Sequence, residues 1–389
     1  MIAPDTPLKQ DIKSTSNHEN RPFMIKKVNQ PGQISRLTVE GYKSIARCDM
    51  ELGRINILIG ANGAGKSNFI GFFGFLRRIL DRQLQITVGQ AGGPDAILHF
   101  GRKATEALSL KVEIGKDEYY LKIVPTMDNR LFIEMEKVNW PSIPFAIECN
   151  GSYESALETH PIFQISPEDT ASLMRKWRIF HFHDTSATAH VKQIQNLNDN
   201  AFLREDARNL AAFLLRIRDH HREHYLRIVK TIRLVAPFFG DFYLRPTVAN
   251  PDKIQLEWAE AGRDEPFLAS ALSDGTLRFI CLATLLLQPD EFMPATILIH
   301  EPELGLHPYA INVLAGLMKS LSETHQLIVS TQSVELVDCF DAEDLIVVDK
   351  RDGASTFKRP HPAELETWLE DYSLGELWKK NLLGGRPGR

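Results

Sequence analysis

The run GANGAGKS, Gly60 to Ser67, directly follows the apolar stretch RINILI and constrains the chain more than any other feature. A glycine-rich turn between a strand and a helix, closed by Lys-Ser, is the phosphate-loop pattern. Gly60, Gly63 and Gly65 let successive backbone N–H groups converge on an anion where side chains would stand in the way. Asn62 lies at the tip of the turn. Lys66 is placed to neutralise phosphate charge, Ser67 offers a hydroxyl to a nucleotide-bound Mg²⁺, and the helix predicted from Asn68 aims its positive end at the same anion. A ligand-free glycine turn would leave Lys66 and Ser67 without a reason to be there.

The last third of the chain alternates apolar strands with helices: ATILIH, a helix from about Tyr309, QLIVST, a short helix, then DLIVVD. Such alternation predicts an α/β fold around a parallel sheet. ATILIHEPELGLHP, Ala295 to Pro308, runs from a strand into an acidic turn, which puts Glu301 at the carboxyl edge of that sheet. LSDGTLRF, Leu272 to Phe279, precedes it, and IVSTQS, Ile328 to Ser333, follows.

In that order these motifs resemble the ATP-binding-cassette ATPase heads of the RecF, SMC and OLD-like class, in particular the bacterial stand-alone predicted ATPases (AAA family ATPases) that share a C-terminal run like SLGELWKKNLLGGRP. The resemblance covers most of Ile34 to Asp349 except a middle segment. It implies an ATP-binding-cassette-type P-loop head with an inserted β-meander and helical lobe, using ATP and Mg²⁺. It also implies an ATP-dependent homodimer, in which Ser273 and Gly275 of one copy close over the phosphate loop of the other. Glu301 would polarise the attacking water, Lys43 and Ser44 would touch the nucleotide, and Gln90 would be the magnesium-sensing glutamine. The sequence departs from the family pattern twice. His300 stands where an aspartate precedes the catalytic glutamate, and Gln332 replaces the usual switch histidine. Imidazole is a poor ligand for Mg²⁺, which prefers oxygen, so tight ATP binding with slow hydrolysis is one expectation. Gln332 can still orient a water or contact the γ-phosphate, as glutamines do in other NTPases.

The expected organisation is a mobile tail at 1–33, one half of the head at 34–104, the inserted meander and helical lobe at 105–265, and the other half at 266–389. Residues 105–150 alternate apolar and polar, the pattern of an antiparallel meander with one wet face. A single helix is predicted from about Asp206 to Val235, with Leu210, Leu214, Ile217, His221, His224 and Ile228 along its seam. Its charged stretch from Arg216 to Arg233 reads as a solvated face, or else as a surface for DNA or a partner. The chain is 43% hydrophobic and 24% charged, with a formal net charge of -5, which argues against wholesale coating of nucleic acid. Its four scattered cysteines fit a reduced, cytoplasmic setting. The longest apolar run, from Phe279, reaches about half the roughly 20 residues a membrane helix needs, so no membrane is expected.

Two histidine clusters bear on metal chemistry. DHHREH contains His220, Glu223 and His224 at the spacing of an inverted zinc-protease motif, but packing on a helix explains the run more simply. HFHD places His181 and His183 on one face of a strand, where a structural pair is expected. The functional expectation is a regulatory ATPase in genome maintenance or anti-phage defence, working with a separately encoded nuclease or toxin. The chain extends too little beyond its last predicted strand to add a nuclease domain of its own. The rival is an ATP-gated scaffold that clamps DNA or protein and barely hydrolyses. Restoring the acid with His300→Asp is expected to strengthen Mg²⁺ dependence and raise turnover. Steady-state ATPase rates across a Mg²⁺ titration check this, and unchanged or lower turnover would refute it.

Overall fold

In the computed structural model of the chain, residues 28, 32–140, 147–157 and 170–385 are described. The expected N-terminal tail lies almost wholly outside them, as do the last residues of the SLGELWKKNLLGGRP run. From the N-terminus, β1 (Ile34–Tyr42) and β2 (Ile45–Glu51) form a hairpin, and β3 (Ile55–Ile59) ends at the glycine-rich loop. Helices α1 (Lys66–Leu80) and α2 (Leu84–Ala91) follow. The meander is β4 (Leu108–Ile114), β5 (Asp117–Pro125), β6 (Leu131–Asn139) and β7 (Ile147–Ser152), succeeded by α3 (Thr170–Arg175) and β8 (Arg178–Phe180). Next comes β9 (Gln195–Asn196), then α4 (Leu210–His220) and α5 (Arg222–Val235). Five short strands, β10 (Phe239–Phe242), β11 (Pro246–Thr247), β12 (Asn250–Ile254), β13 (Glu257–Glu260) and β14 (Pro266–Leu268), join β9 in two small sheets. The chain closes with α6 (Asp274–Leu287), β15 (Thr296–His300), α7 (Pro308–Leu321), β16 (Gln326–Ser330), α8 (Val334–Val337), β17 (Leu345–Arg351), β18 (Ala354–Lys358), α9 (Pro362–Leu369) and α10 (Leu374–Lys379).

Two six-stranded sheets organise these elements. One is antiparallel, in the order β2-β1-β4-β5-β6-β7, so the meander continues the first hairpin rather than standing apart from it. The other runs β18-β17-β3-β16-β15-β8, with parallel pairing from β17 through β8 and only β18 antiparallel. β8 belongs to this sheet although it lies in the middle of the sequence.

The apolar runs of β3, β15 and β16 are continuous because both faces of the parallel sheet are covered. Leu58, Leu298, Ile328 and Ile346 face α1 and the antiparallel sheet. Ile57, Ile297, Ile299, Leu327 and Val329 face the other way, among residues of α4, α5, α6 and α7. α1 is thereby wedged between the sheets and buries Phe69, Ile70, Phe72, Phe73, Leu76 and Ile79. Each of these contributes about 1.5–3 kcal/mol of burial. Tyr42 stacks on Phe75 at 5.4 Å, and Phe73 meets Trp177 edge-on at 5.5 Å.

The run ISRLTVEGYKSI turns back at Lys43, which takes a left-handed φ of 45°, and returns as β2. One element differs from the sequence expectation. The single helix predicted over Asp206–Val235 begins at Leu210 and breaks at His221, whose backbone leaves the helical region at φ -134°, ψ 57°. There the His221 ring packs edge-on against Phe292 at 5.2 Å and its Nε2 lies 3.1 Å from Glu291. The tertiary contact outweighs helical continuity.

At the amino-terminal edge of the parallel sheet, the fully buried Gln326 amide joins both sheets. Its Oε1 accepts from Ile34 N at 2.9 Å and Thr296 Oγ1 at 2.8 Å. Its Nε2 donates to Ile34 O at 2.7 Å and Gly53 O at 2.9 Å. All four hydrogen-bonding positions of the amide are used. Replacing it, Gln326→Leu, leaves these partners buried and unpaired and is expected to lower unfolding stability by about 3 kcal/mol or more. Urea unfolding of both proteins measures the difference; equal midpoints would refute the role.

Candidate nucleotide site at the carboxyl edge of the parallel sheet

Parallel strands end side by side, so the turns after β3, β15, β16 and β8 gather at one edge. The first is the glycine-rich loop. Gly65 has a φ of 120°, and a Cβ there would lie 2.0 Å from Ser355 Oγ. Only glycine lets β18 press so close. Ser355 Oγ donates to Ala64 O at 2.6 Å and accepts from Ser44 Oγ at 2.7 Å, while Asn68 Nδ2 donates to Ser44 Oγ at 2.7 Å. Ser44 is therefore tied to the loop, whereas the Lys43 ammonium lies over the Tyr42 ring. Asn62 and Gly63 are exposed at the tip. Lys66 is buried, and its Nζ donates to two carbonyls of its own loop, Gly60 O at 2.6 Å and Ala61 O at 3.1 Å. Burial pulls its pKa down while Glu301 and Glu303 oppose that shift.

The turn after β15 supplies the acids. Glu301 adopts a left-handed φ of 45°, a conformation that stores on the order of 1–3 kcal/mol in a residue with a Cβ. Its backbone N donates to Ser330 O at 2.8 Å, and its Oε1 accepts from Gln332 Nε2. Glu303 is buried and structural: it accepts from Thr331 Oγ1 at 2.6 Å and from the backbone of Gln332 at 2.8 Å. Burial pushes its carboxyl pKa up despite these donors.

His300 Nε2 lies 3.0 Å from Ser67 Oγ, which joins the end of β15 to the start of α1. Burial holds this imidazole below its ordinary pKa, with Glu301 pulling the other way. Its Nδ1 is buried without a hydrogen-bond partner. His183, just beyond β8, directs Nε2 to the His300 carbonyl oxygen at 2.9 Å. The expected structural pair of His181 with His183 is thus not what holds His183: their ring centroids are 6.4 Å apart.

Ser273 and Gly275 lie at the start of α6. Ser273 caps the helix, accepting from Thr276 N at 3.2 Å. A Cβ on Gly275 would sit 2.4 Å from Gly305 O, so only glycine admits the GLHP turn. Among the described residues, no hydrogen bond joins Ser273 or Gly275 to residues 60–67. Gln90, expected near the metal, is not brought to the site. It sits on α2, where Arg78 Nη1 donates to its Oε1 at 3.0 Å. That point is roughly 18 Å along α1 from Lys66 at about 1.5 Å per residue. The segment around it is helical from Leu84 to Ala91. His220, Glu223 and His224 do not assemble either. The helix break intervenes, and His224 Nδ1 meets Leu287 O at 2.9 Å.

Arg278 was missed. As the seventh residue of LSDGTLRF it donates to Phe182 O at 3.1 Å, His183 O at 2.8 Å and Leu304 O at 2.9 Å. One guanidinium thus clamps the turns after β8 and β15 to α6. Its place inside a quoted motif was the available signal; its partners are remote in sequence. Ser355 carried no signal at all.

Residues 55–338 match the AAA_21 family, described as "AAA domain, putative AbiEii toxin, Type IV TA system". The chain belongs to this family. Two solved structures share its fold. One is the Smc head bound to the C-winged helix domain of ScpA, at 17% identity and a TM-score of 0.56, covering 86% of this chain and 99% of that one. The other is an Smc head with an extended coiled coil bound to the C-terminal domain of ScpA, derived from Pyrococcus furiosus. It matches at 16% identity and a TM-score of 0.54, covering 87% of this chain and 98% of that one. At such identities the likeness is one of fold. No curated protein is a significant match. The chain is an AAA-family ATPase head with the fold of the Smc heads, and no helix among its described residues is long and apolar enough to cross a membrane.

The donor set suits Mg²⁺ poorly. Ser67 Oγ is an oxygen, but the strand end beside it presents the imidazole of His300, with a buried and unpartnered Nδ1. Mg²⁺ demands oxygen ligands in near-octahedral order.

Arg278→Lys keeps the charge but cannot fork to three carbonyls. It is expected to speed amide hydrogen exchange across residues 301–307 by about tenfold, with global stability lowered by no more than about 2 kcal/mol. Unchanged exchange there would refute the clamp.

Proposed function

We propose that this chain binds ATP on the 60–67 loop and hydrolyses it slowly, with two copies closing around the nucleotide. The observation that carries the reading is the convergence of Lys66, Ser67, Glu301 and Gln332 at one sheet edge. Phosphates entering the loop replace the two carbonyls that now hold the Lys66 ammonium, and the positive end of α1 faces the same anion. Glu301 polarises the attacking water, and Gln332, already bonded to it, orients that water. Ser273 and Gly275, with no hydrogen bond to residues 60–67 among the described residues, cover the partner copy's nucleotide. Exposed Leu304 and Tyr309 beside them add apolar surface for that contact. Lys43 and Ser44 flank the nucleotide.

The biological role we propose is a regulatory ATPase in anti-phage defence or genome maintenance, acting on a separately encoded nuclease or toxin. The family description points toward toxin–antitoxin systems, and Smc heads bind a separate chain, ScpA. DNA is a candidate partner through α5. Its neighbourhood spends Arg218 on Leu244 O and Arg233 on Gly240 O, which leaves fewer free cations than the sequence suggests. A scaffold that clamps DNA or protein with little turnover is the second reading, and the imidazole at position 300 favours it.

Glu301→Gln is expected to keep ATP bound and accumulate the dimer, because the amide keeps the shape but cannot act as a base. Lys66→Ala is expected to lose ATP binding while staying folded, since charge-assisted contacts of roughly 1.5–3 kcal/mol or more disappear. Light scattering with ATP and a fluorescent nucleotide titration read the two outcomes. Equal ATP affinity in Lys66→Ala and wild type would end the loop assignment.

A further inference from the structure

We propose that His183, His300 and Glu301 form a divalent transition-metal site that loads without nucleotide and takes Mn²⁺, Co²⁺ or Zn²⁺ in preference to Mg²⁺. Among the described residues these three make the one group whose donor atoms, one from each side chain, all lie within 4.8 Å of one another. Two imidazoles and a carboxylate are the donor set of first-row transition dications, and their affinities rise from Mn²⁺ through Co²⁺ well above that of Mg²⁺.

The surroundings prepare each ligand. His183 donates Nε2–H to the His300 carbonyl oxygen at 2.9 Å, which leaves Nδ1 with the lone pair. A backbone carbonyl on the far ring nitrogen is the usual device that fixes a metal-bound histidine. His300 has one ring nitrogen beside Ser67, and its Nδ1 is buried with no partner in the protein. A buried polar atom left unpaired is costly, so it marks a place where a ligand belongs. Glu301 accepts from Gln332 through Oε1, which leaves Oε2 available. Its carboxylate lies with the two imidazoles at the end of β15. The Arg278 bond to His183 O at 2.8 Å anchors the ligand that follows β8.

The proposal deepens the reading of the ATP site and takes from it only the place of the nucleotide beside Ser67. Its test is therefore run without nucleotide, on the full chain free of any added histidine tag. Co²⁺ is titrated by calorimetry and followed through its visible absorption, with Mg²⁺ titrated in parallel. The expected result is about one Co²⁺ per chain, bound at least about tenfold tighter than Mg²⁺. His183→Ala and Glu301→Gln each weaken Co²⁺ by at least about tenfold. His220→Ala, in the helical cluster, leaves it unchanged, and His300→Asp narrows the gap between Co²⁺ and Mg²⁺. The site is overturned if Co²⁺ does not bind, or binds no better than Mg²⁺. It is equally overturned if His183→Ala and Glu301→Gln, folded by circular dichroism, bind Co²⁺ like wild type. Binding of a fluorescent ATP analogue in EDTA separates the two readings. Analogue bound without Co²⁺ affinity sinks the metal site alone, while Co²⁺ bound without analogue affinity supports the metal site and sinks the ATP assignment.

Discussion

The parallel pairing of β3, β16, β15 and β8 is the constraint on which the rest depends. Parallel strands in register finish at a common edge, so segments more than two hundred residues apart deliver their turns to the same place. Ile57 pairs with Val329, Val329 with Ile299, and Ile299 with Phe180, which carries the register across the sheet from the phosphate loop to the HFHD turn. Burial on both faces fixes that register, because a one-residue slip would exchange the two sets of apolar side chains. At the opposite edge Gln326 holds the antiparallel sheet to the parallel one through a fully satisfied amide. The carboxyl edge is left to chemistry.

That edge combines backbone strain and polar mismatch within a few residues of one strand end. Glu301 occupies a left-handed conformation, and the neighbouring His300 and Glu303 each bury an atom without a partner. Such features persist only where the surrounding structure over-determines them, and here Ser330 O, Gln332 and Thr331 do so. Binding sites concentrate these departures because groups already satisfied by the protein have little to offer a ligand.

Hydrogen bonds also tie the turns to one another. Ser67 meets His300, His183 meets the His300 carbonyl, and Arg278 reaches both His183 O and Leu304 O. The start of α1, the ends of β15 and β8 and the first turn of α6 therefore form one contiguous polar network. A change at the phosphate loop has a physical route to the start of α6, where Ser273 is exposed.

The sequence by itself determined what is local. The strand-turn-helix of GANGAGKS, the acidic strand end at Glu301 and the α/β alternation are readable because each rests on neighbouring residues, through backbone freedom, charge and apolar period. The family follows from their order. Tertiary structure alone decided what rests on residues brought from afar. The meander joins the first hairpin because β4 pairs with β1, and β8 enters the parallel sheet from mid-chain. The helix breaks at His221 because Phe292 and Glu291 claim that ring, and Gln90 is drawn to Arg78 at the far end of α1. His183 meets His300 rather than His181 because adjacent parallel strands, not neighbours in sequence, end side by side. Local chemistry writes motifs; only the packed sheet decides which of them touch.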